Sequence, residues 1–128
     1  MNSTSSMLFD STALPSSLGT SDADVLVQFY EMFLQTTLEY WSDLDTGSNP
    51  PDLTLVRHTA HKLKSSSASM GALALAQSLK ELELVAAEGD LLKVSQKTDQ
   101  TKLVLDATVK IVQQRLGSLE QQLARTPG

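Results

Sequence analysis

The chain has 128 residues, a formal net charge of −5, and hydrophobic, charged and aromatic shares of 41%, 20% and 5%. This length fits one domain, and so few aromatic residues are not typical of an all-β sandwich. Because cysteine is absent, disulfides, thiolate zinc sites and a cysteine nucleophile are excluded. The sequence shows no signal-peptide pattern and no apolar run of the roughly 20 residues that a membrane span needs. We therefore expect a cytoplasmic domain that does not contact a membrane.

Four segments repeat apolar residues at three- and four-residue spacing, which predicts four helices. In chain order they cover about 22–44, 52–67, 72–88 and 91–122. Amphipathic helices with short connections bury their stripes against one another, so the predicted fold is all-α, an antiparallel up-and-down four-helix bundle over residues 21–123. Residues 1–20, rich in serine and threonine, are predicted to form an N-terminal arm that could carry a short docking helix. Residues 124–128 are expected to fray.

Individual residues refine the predicted helix ends and core. Asp90 is the predicted N-cap of the last helix, and Ser69, ahead of Gly71, is the predicted cap of the third helix. In the first helix, the helical spacing assigns both Phe29 and Phe33 to the buried stripe.

The charges are unevenly distributed along the chain. Residues 1–52 contain eight acids and no lysine or arginine, whereas residues 53–80, here called the basic segment, contain no acid. The basic segment carries four cations and both histidines of the chain. Four cations in an acidic protein are too few for the basic stripes of nucleic-acid binders, but they suit one phosphoryl group or an acidic pocket on a partner. We therefore expect no nucleic-acid binding.

His61 lies away from the apolar stripe of the second predicted helix and should be at least partly exposed. Arg57, His58, Lys64 and Ser65 lie three or four residues from it and so occupy neighbouring patches of the helix surface. Nearby cations disfavour the imidazolium, which keeps a ring nitrogen lone pair free for nucleophilic attack. If His61 carried a phosphoryl group, the Lys64 ammonium and the Ser65 hydroxyl could reach its oxygens. The same residues could equally form a solvated face without chemistry.

Three short motifs stand out, and they read Ala60-His61-Lys62-Leu63-Lys64-Ser65-Ser66-Ser67, Met70-Gly71-Ala72 and Leu79-Lys80-Glu81-Leu82-Glu83. Together they resemble the signature of histidine phosphotransfer (HPt) domains, whose four-helix bundle also agrees with the predicted helices. The resemblance implies that His61 accepts a phosphoryl group and that Lys64 supports it. Ser65 departs from the family pattern, which often has glycine there, close to where a partner approaches. Glu83 could bridge to another helix or cover the edge of the core.

The resemblance also implies partners and chemistry. The receiver domain of a response regulator, or a hybrid sensor histidine kinase, would exchange the phosphoryl group with His61, and the receiver would supply Mg²⁺. No glycine-rich nucleotide loop is present, so the sequence gives no evidence of ATP binding. The resemblance implies a phosphocarrier of a phosphorelay that is not an enzyme, and we expect a monomer without a cofactor or metal of its own. Supporting or docking residues are expected at Arg57, His58, Ser65, Ala68 and Gln77, the last only if the third predicted helix packs beside the second.

Two other functions remain open from the sequence. A helical adaptor could dock on a receiver or kinase without carrying phosphate. Two features favour this function: Ser65, which departs from the family pattern, and the long last helix. A metal-dependent enzyme could use His58 and His61, which are three residues apart. Against this, the basic segment offers no acid and the chain no cysteine as further ligands.

Overall fold

The computed structural model describes residues 8–44 and 51–125. These ranges contain no strand, and their helices are α1 (Ala13–Leu18), α2 (Ala23–Leu44), α3 (Leu53–Met70), α4 (Leu73–Glu88) and α5 (Leu91–Arg125). The all-α prediction is confirmed, and the four predicted helices correspond to α2, α3, α4 and α5. Among the described residues, no helix has both the length and the apolarity that crossing a membrane requires.

The four long helices form one bundle. α2 packs against α3 and α5, α4 also packs against α3 and α5, and α1 packs against α3. Each long helix therefore buries one stripe of side chains between two long neighbours. The fully buried side chains of that core include Leu26, Tyr30, Leu63, Leu75, Leu79, Leu82, Leu105 and Val112. Only two residues connect α3 to α4, so the positions of these two helices are closely coupled.

α3 is longer than predicted. The serine-rich stretch stays helical because Ser67 and Met70 are buried against the core, and this packing outweighs the low helical propensity of serine. The helix ends at Gly71, whose backbone adopts a left-handed φ of +90°. The predicted cap at Ser69 is wrong, because this residue lies inside α3 and Ala72 occupies the N-cap position of α4.

The two ends of α5 compare differently with the prediction. At its start, Asp90 Oδ1 accepts a hydrogen bond from the backbone N–H three residues later at 3.1 Å, as predicted for an N-cap. At its end, Ala124 and Arg125 are helical although they were expected to fray, and a cation in the last turn is favourable beside the helix dipole. The remaining tail, residues 126–128, lies outside the described residues, as do residues 1–7 of the predicted arm.

The buried stripe of α2 differs from the predicted one. Tyr30 and Trp41 are buried together with Phe33, whereas Phe29, predicted to lie in the core, is 38% exposed. Packing against two neighbouring helices decides which side of α2 is buried, and a wheel for one helix does not specify that rotation. Phe29 instead lines a surface groove that α2 forms with α3.

The segment before α1 is hydrogen-bonded to the turn between α3 and α4. The backbone N–H of Asp10 donates a hydrogen bond to the carbonyl oxygen of Gly71 at 2.7 Å. A Cβ atom at Gly71 would lie 2.1 Å from the Asp10 carbonyl oxygen, so only glycine permits this approach. Leu14 of α1 is buried in the core. The described part of the predicted arm therefore packs on the bundle at the turn that sets α3 beside α4.

Candidate functional site

α3 presents His61 to solvent. Val56, Ala60 and Leu63 of the same helix are buried in the core, which leaves His61 on the outer side. The side chain of His61 is 63% exposed. A reactive group on another molecule can therefore reach the ring, and the predicted exposure of His61 is present in the structure.

Glu83 of α4 reaches across to His61 and Lys64 of α3. Its Oε2 lies 3.0 Å from His61 Nδ1, and its Oε1 accepts a hydrogen bond from Lys64 Nζ at 2.7 Å. The connection at Gly71 and Ala72 explains the contact, because His61 and Glu83 lie at nearly equal distances along the chain on either side of it. One carboxylate is therefore shared by an imidazole and an ammonium group.

His61 has an acidic neighbour besides the predicted cations, because Glu83 forms the bridge to another helix that was one of its two expected roles. The basic segment contains no acid, but folding brings Glu83 to the ring from outside that segment. Lys64, expected beside a phosphoryl group on His61, uses one of its three N–H donors on Glu83 and keeps two. A helix wheel for α3 alone does not reveal this contact. The near-symmetric placement of the two residues about the connection is the sequence signal that points to it.

Lys64 also lowers the pKa of Glu83. Its hydrogen bond is the main cause that lowers the pKa of Glu83 below the ordinary value, partial burial opposes the shift, and His61 adds to the lowering. Glu83 is then ionised at neutral pH and can only accept hydrogen bonds. In a neutral imidazole, the Nδ1 that faces this carboxylate must carry the proton. The Nε2 lone pair is left free to act as a nucleophile.

A surface pocket of about 270 Å³ opens beside the ring. Its lining residues are Thr54, Arg57, His58, His61 and Glu83. Arg57 and His58, both predicted to support the site, thus lie at the pocket, and Thr54 is a lining residue that the sequence analysis did not identify. A guanidinium and a hydroxyl are donors that oxyanions bind, so this pocket suits a small anionic group held next to His61.

Ser65 and Ala68 lie on the exposed surface of α3 beyond His61. They follow it by four and seven residues, which places them on the same side of the helix. Neither residue lines the pocket. Because both side chains are small, they leave the surface between His61 and the end of α3 open to a partner.

Gln77 does not lie at the pocket. Its amide donates a hydrogen bond to Glu81 Oε2 at 3.0 Å, and Glu81 also accepts from Lys97 of α5. α3 and α4 do pack side by side, which was the condition for placing Gln77 near His61. The residue nevertheless faces another direction, because Gln77 and Glu83 are six positions apart, a separation that corresponds to about 240° around the helix.

Among the described residues, no group of three or more His, Cys, Asp or Glu side chains could hold a metal ion. His58 and His61 share their pocket with a single acid, Glu83, whose carboxylate is already bonded to Lys64. The metal-enzyme interpretation therefore lacks a ligand set in this part of the chain.

Two comparisons with known proteins indicate the same family. A family model described as Hpt domain matches residues 28–126. The fold is similar to the crystal structure of histidine-containing phosphotransfer protein B (HptB) from Pseudomonas aeruginosa PAO1, with a TM-score of 0.76 and 26% sequence identity, covering 87% of this chain and 96% of that one. A search of curated proteins finds no significant match. Because the family model spans well over half of its residues, this chain belongs to the Hpt domain family.

Proposed function

We propose that this chain is a phosphocarrier of a multistep phosphorelay. His61 accepts a phosphoryl group from the aspartyl phosphate of a receiver domain and passes it to the aspartate of another receiver. The observation that carries the proposal is an exposed imidazole whose Nδ1 faces the Glu83 carboxylate. Membership of the Hpt domain family, and similarity to a structure named as a histidine-containing phosphotransfer protein, support it.

The transfer step follows from the tautomer of His61. The Nε2 lone pair attacks phosphorus while the bond between phosphorus and the aspartyl oxygen breaks, and the released carboxylate keeps the electron pair. Nε2 carries no proton in the Nδ1–H tautomer, so no general base is needed. The ring gains positive charge as the N–P bond forms, and the Glu83 carboxylate 3.0 Å from Nδ1 stabilises that charge.

Lys64 has two roles in this proposal. It donates a hydrogen bond to Glu83 and so holds the carboxylate against His61. Its two remaining N–H donors, together with the Ser65 hydroxyl, bind the phosphoryl oxygens. Lys64→Ala should therefore slow transfer more than Lys93→Ala, because Lys93 is an exposed lysine of α5 whose ion pair is with another glutamate. Equal effects of the two substitutions would mean that the charge of Lys64 is incidental.

The proposal assigns no ATP site and no metal to this chain, and it places the Mg²⁺ on the receiver. It describes a monomeric carrier in the cytoplasm, whose partners are receiver domains or a hybrid sensor histidine kinase. An antiparallel up-and-down order of α2 to α5 is part of the same proposal, and the two-residue connections on either side of α4 support it.

Incubation of the full chain with a phosphorylated receiver tests the proposal. The wild type should acquire an acid-labile phosphate, and His61→Gln should not. Because His61 is exposed, the variant should keep the far-ultraviolet circular dichroism of the wild type. Transfer that persists in the variant would remove His61 from the mechanism. Receiver binding without transfer to the wild type would favour the adaptor function instead.

A further inference from the structure

A second surface pocket, here called the arm pocket, lies between the N-terminal segment and α5. Its volume is about 540 Å³, and as described it shares no lining residue with the pocket beside His61. The described lining contains no acid, and it combines one cation with five hydroxyl side chains, namely Arg115, Ser11, Thr12, Ser16, Thr20 and Ser21. Ligand sites commonly have volumes of about 300–1,000 Å³, so the arm pocket has room for a small molecule.

Arg115 of α5 is the cation of the arm pocket, and it has no carboxylate partner in the described part of the chain. None of the ion pairs there involves this residue. Its Nε is buried and has no hydrogen-bond acceptor among residues 8–44 and 51–125. The guanidinium lies close enough to the Tyr30 hydroxyl to oppose the rise in the pKa of Tyr30 that burial causes. A neutral hydroxyl does not neutralise a guanidinium, so the charge of Arg115 is available to an anion.

The hydroxyl groups of the arm pocket supply neutral donors. Thr20 Oγ1 accepts a hydrogen bond from the backbone N–H of Asp22 at 3.1 Å, which leaves its own proton free to donate. Ser16 and Ser21 are exposed, so their hydroxyls can turn towards a ligand. A phosphate group offers more acceptor oxygens than a carboxylate does. Several hydroxyls around one guanidinium therefore match a phosphate group better than a carboxylate.

Two acids lie close to the arm pocket in sequence, but neither lines it. Asp10 Oδ1 accepts hydrogen bonds from the backbone N–H and the hydroxyl of Thr12, at 2.9 and 2.7 Å. Asp22 is exposed and outside the lining. The whole chain carries a formal net charge of −5, so its overall field does not attract an anion. Binding must then come from direct contact with Arg115.

We infer that the arm pocket binds a phosphate group, either free phosphate or that of a small phosphomonoester. The Arg115 guanidinium is its charged anchor, and the hydroxyls of Thr20 and Ser21 are neutral donors. The group is held without a covalent bond and is distinct from the phosphoryl group on His61, so binding here is independent of phosphoryl transfer. Because the lining comes from both ends of α1 and from α5, the bound group joins the N-terminal segment to the bundle.

An NMR titration of the full nitrogen-15-labelled chain tests this inference. The probes are glycerol 3-phosphate and inorganic phosphate. Glycerol, which lacks the phosphate group, and acetate, a carboxylate, are the comparison compounds. Either probe should shift the Nε–H signal of Arg115 and the backbone amides of Thr20 and Ser21. The expected Kd is about 1 mM, because the pocket is open to solvent and water screens the guanidinium.

Two arginine variants give a matched comparison. Arg115→Gln should raise Kd by at least about tenfold, because a charge-assisted pair is lost. Arg125→Gln removes the same charge from an exposed position ten residues later in α5, outside the arm pocket, and should keep the wild-type Kd. Arg115→Lys keeps the charge but loses the planar fork, so it should raise Kd by about threefold. Far-ultraviolet circular dichroism checks that each variant is folded.

The outcomes separate the two sources of phosphate. Tighter binding of glycerol 3-phosphate would identify a phosphomonoester as the ligand and tighter binding of inorganic phosphate would identify free phosphate, and both results support the inference. Equal Kd values for Arg115→Gln and Arg125→Gln would overturn it. Acetate that binds as tightly as phosphate, or glycerol as tightly as its phosphate, would also overturn it. The same holds if about 20 mM of either probe shifts only the pocket beside His61, because the anion would then bind there instead.

Discussion

Replacement of Glu83 by alanine should slow phosphoryl transfer to His61 by about fivefold. The carboxylate makes two contacts, with His61 Nδ1 at 3.0 Å and with Lys64 Nζ at 2.7 Å. Both partners are partly exposed, so together these contacts are expected to contribute about 1 kcal/mol rather than the several kcal/mol of a buried pair. The contact with Nδ1 strengthens as the ring gains positive charge, so its loss raises the barrier, and each 1.36 kcal/mol corresponds to about tenfold in rate.

Glu81→Ala is the matched control for this substitution. Glu81 is also a glutamate of α4 and also pairs with a lysine, Lys97, but its contacts are with Gln77 and α5 instead of His61. Its removal changes the net charge by the same amount and should leave the transfer rate unchanged. Glu83→Gln should lie between the wild type and Glu83→Ala, because an amide oxygen can still accept from Nδ1–H but carries no charge.

Rapid-quench kinetics with a phosphorylated receiver measure the expected change, which should be in kcat with little change in KM. Nitrogen-15 NMR of the imidazole provides an independent readout, because the wild type should show a proton on Nδ1 and Glu83→Ala a larger share of the other tautomer. Wild-type kcat in Glu83→Ala, or equal losses in Glu83→Ala and Glu81→Ala, would refute the assignment of Glu83 as the residue that positions His61.

Other residues give three further predictions. Gly71→Ala should lower the free energy of unfolding more than Gly89→Ala: both glycines have left-handed φ values, +90° and +81°, which cost about 1–2 kcal/mol for alanine, but only at Gly71 would Cβ collide with backbone. Equal losses in urea unfolding would contradict this. In Lys64→Ala the pKa of Glu83, measured by carbon-13 NMR, should rise towards its ordinary value of 4.5, and an unchanged pKa would rule out Lys64 as the cause of the lowering. In the wild type, the stability that this carboxylate contributes is present above pH 4.5 and is lost as the pH falls through the lowered pKa. Burial raises the pKa of Tyr30 above 10.0, so the stability linked to its hydroxyl is present below pH 10.0 and is lost as the pH rises through the raised pKa. Tyr30→Phe should therefore lose less stability than the wild type above pH 10.0. Identical profiles of stability against alkaline pH for the two proteins would contradict the raised pKa of Tyr30.

The helices could be predicted because each long helix buries one continuous stripe. Leu75, Leu79 and Leu82 recur at three- and four-residue spacing and are all buried in α4. The same periodicity placed His61 on the outer side of α3. Spacing within one segment is sufficient for both results, because each depends on a single helix and the core that it faces.

Contacts between helices could not be predicted in the same way. Glu83 and Gln77 lie on one helix, and the rotation of α4 about its axis decides which of them faces α3. Packing sets that rotation, and it directs Glu83 to His61 and Gln77 to Glu81 of its own helix. The exposure of Phe29 in α2 has the same origin.

Location of the phosphoryl group in the phosphorylated chain tests the central claim most directly. Phosphorus-31 and nitrogen-15 NMR of the chain after transfer from a receiver should show a P–N bond to Nε2 of His61, with Nδ1 protonated beside Glu83. A phosphoryl group on Nδ1, or on any residue other than His61, would contradict the account.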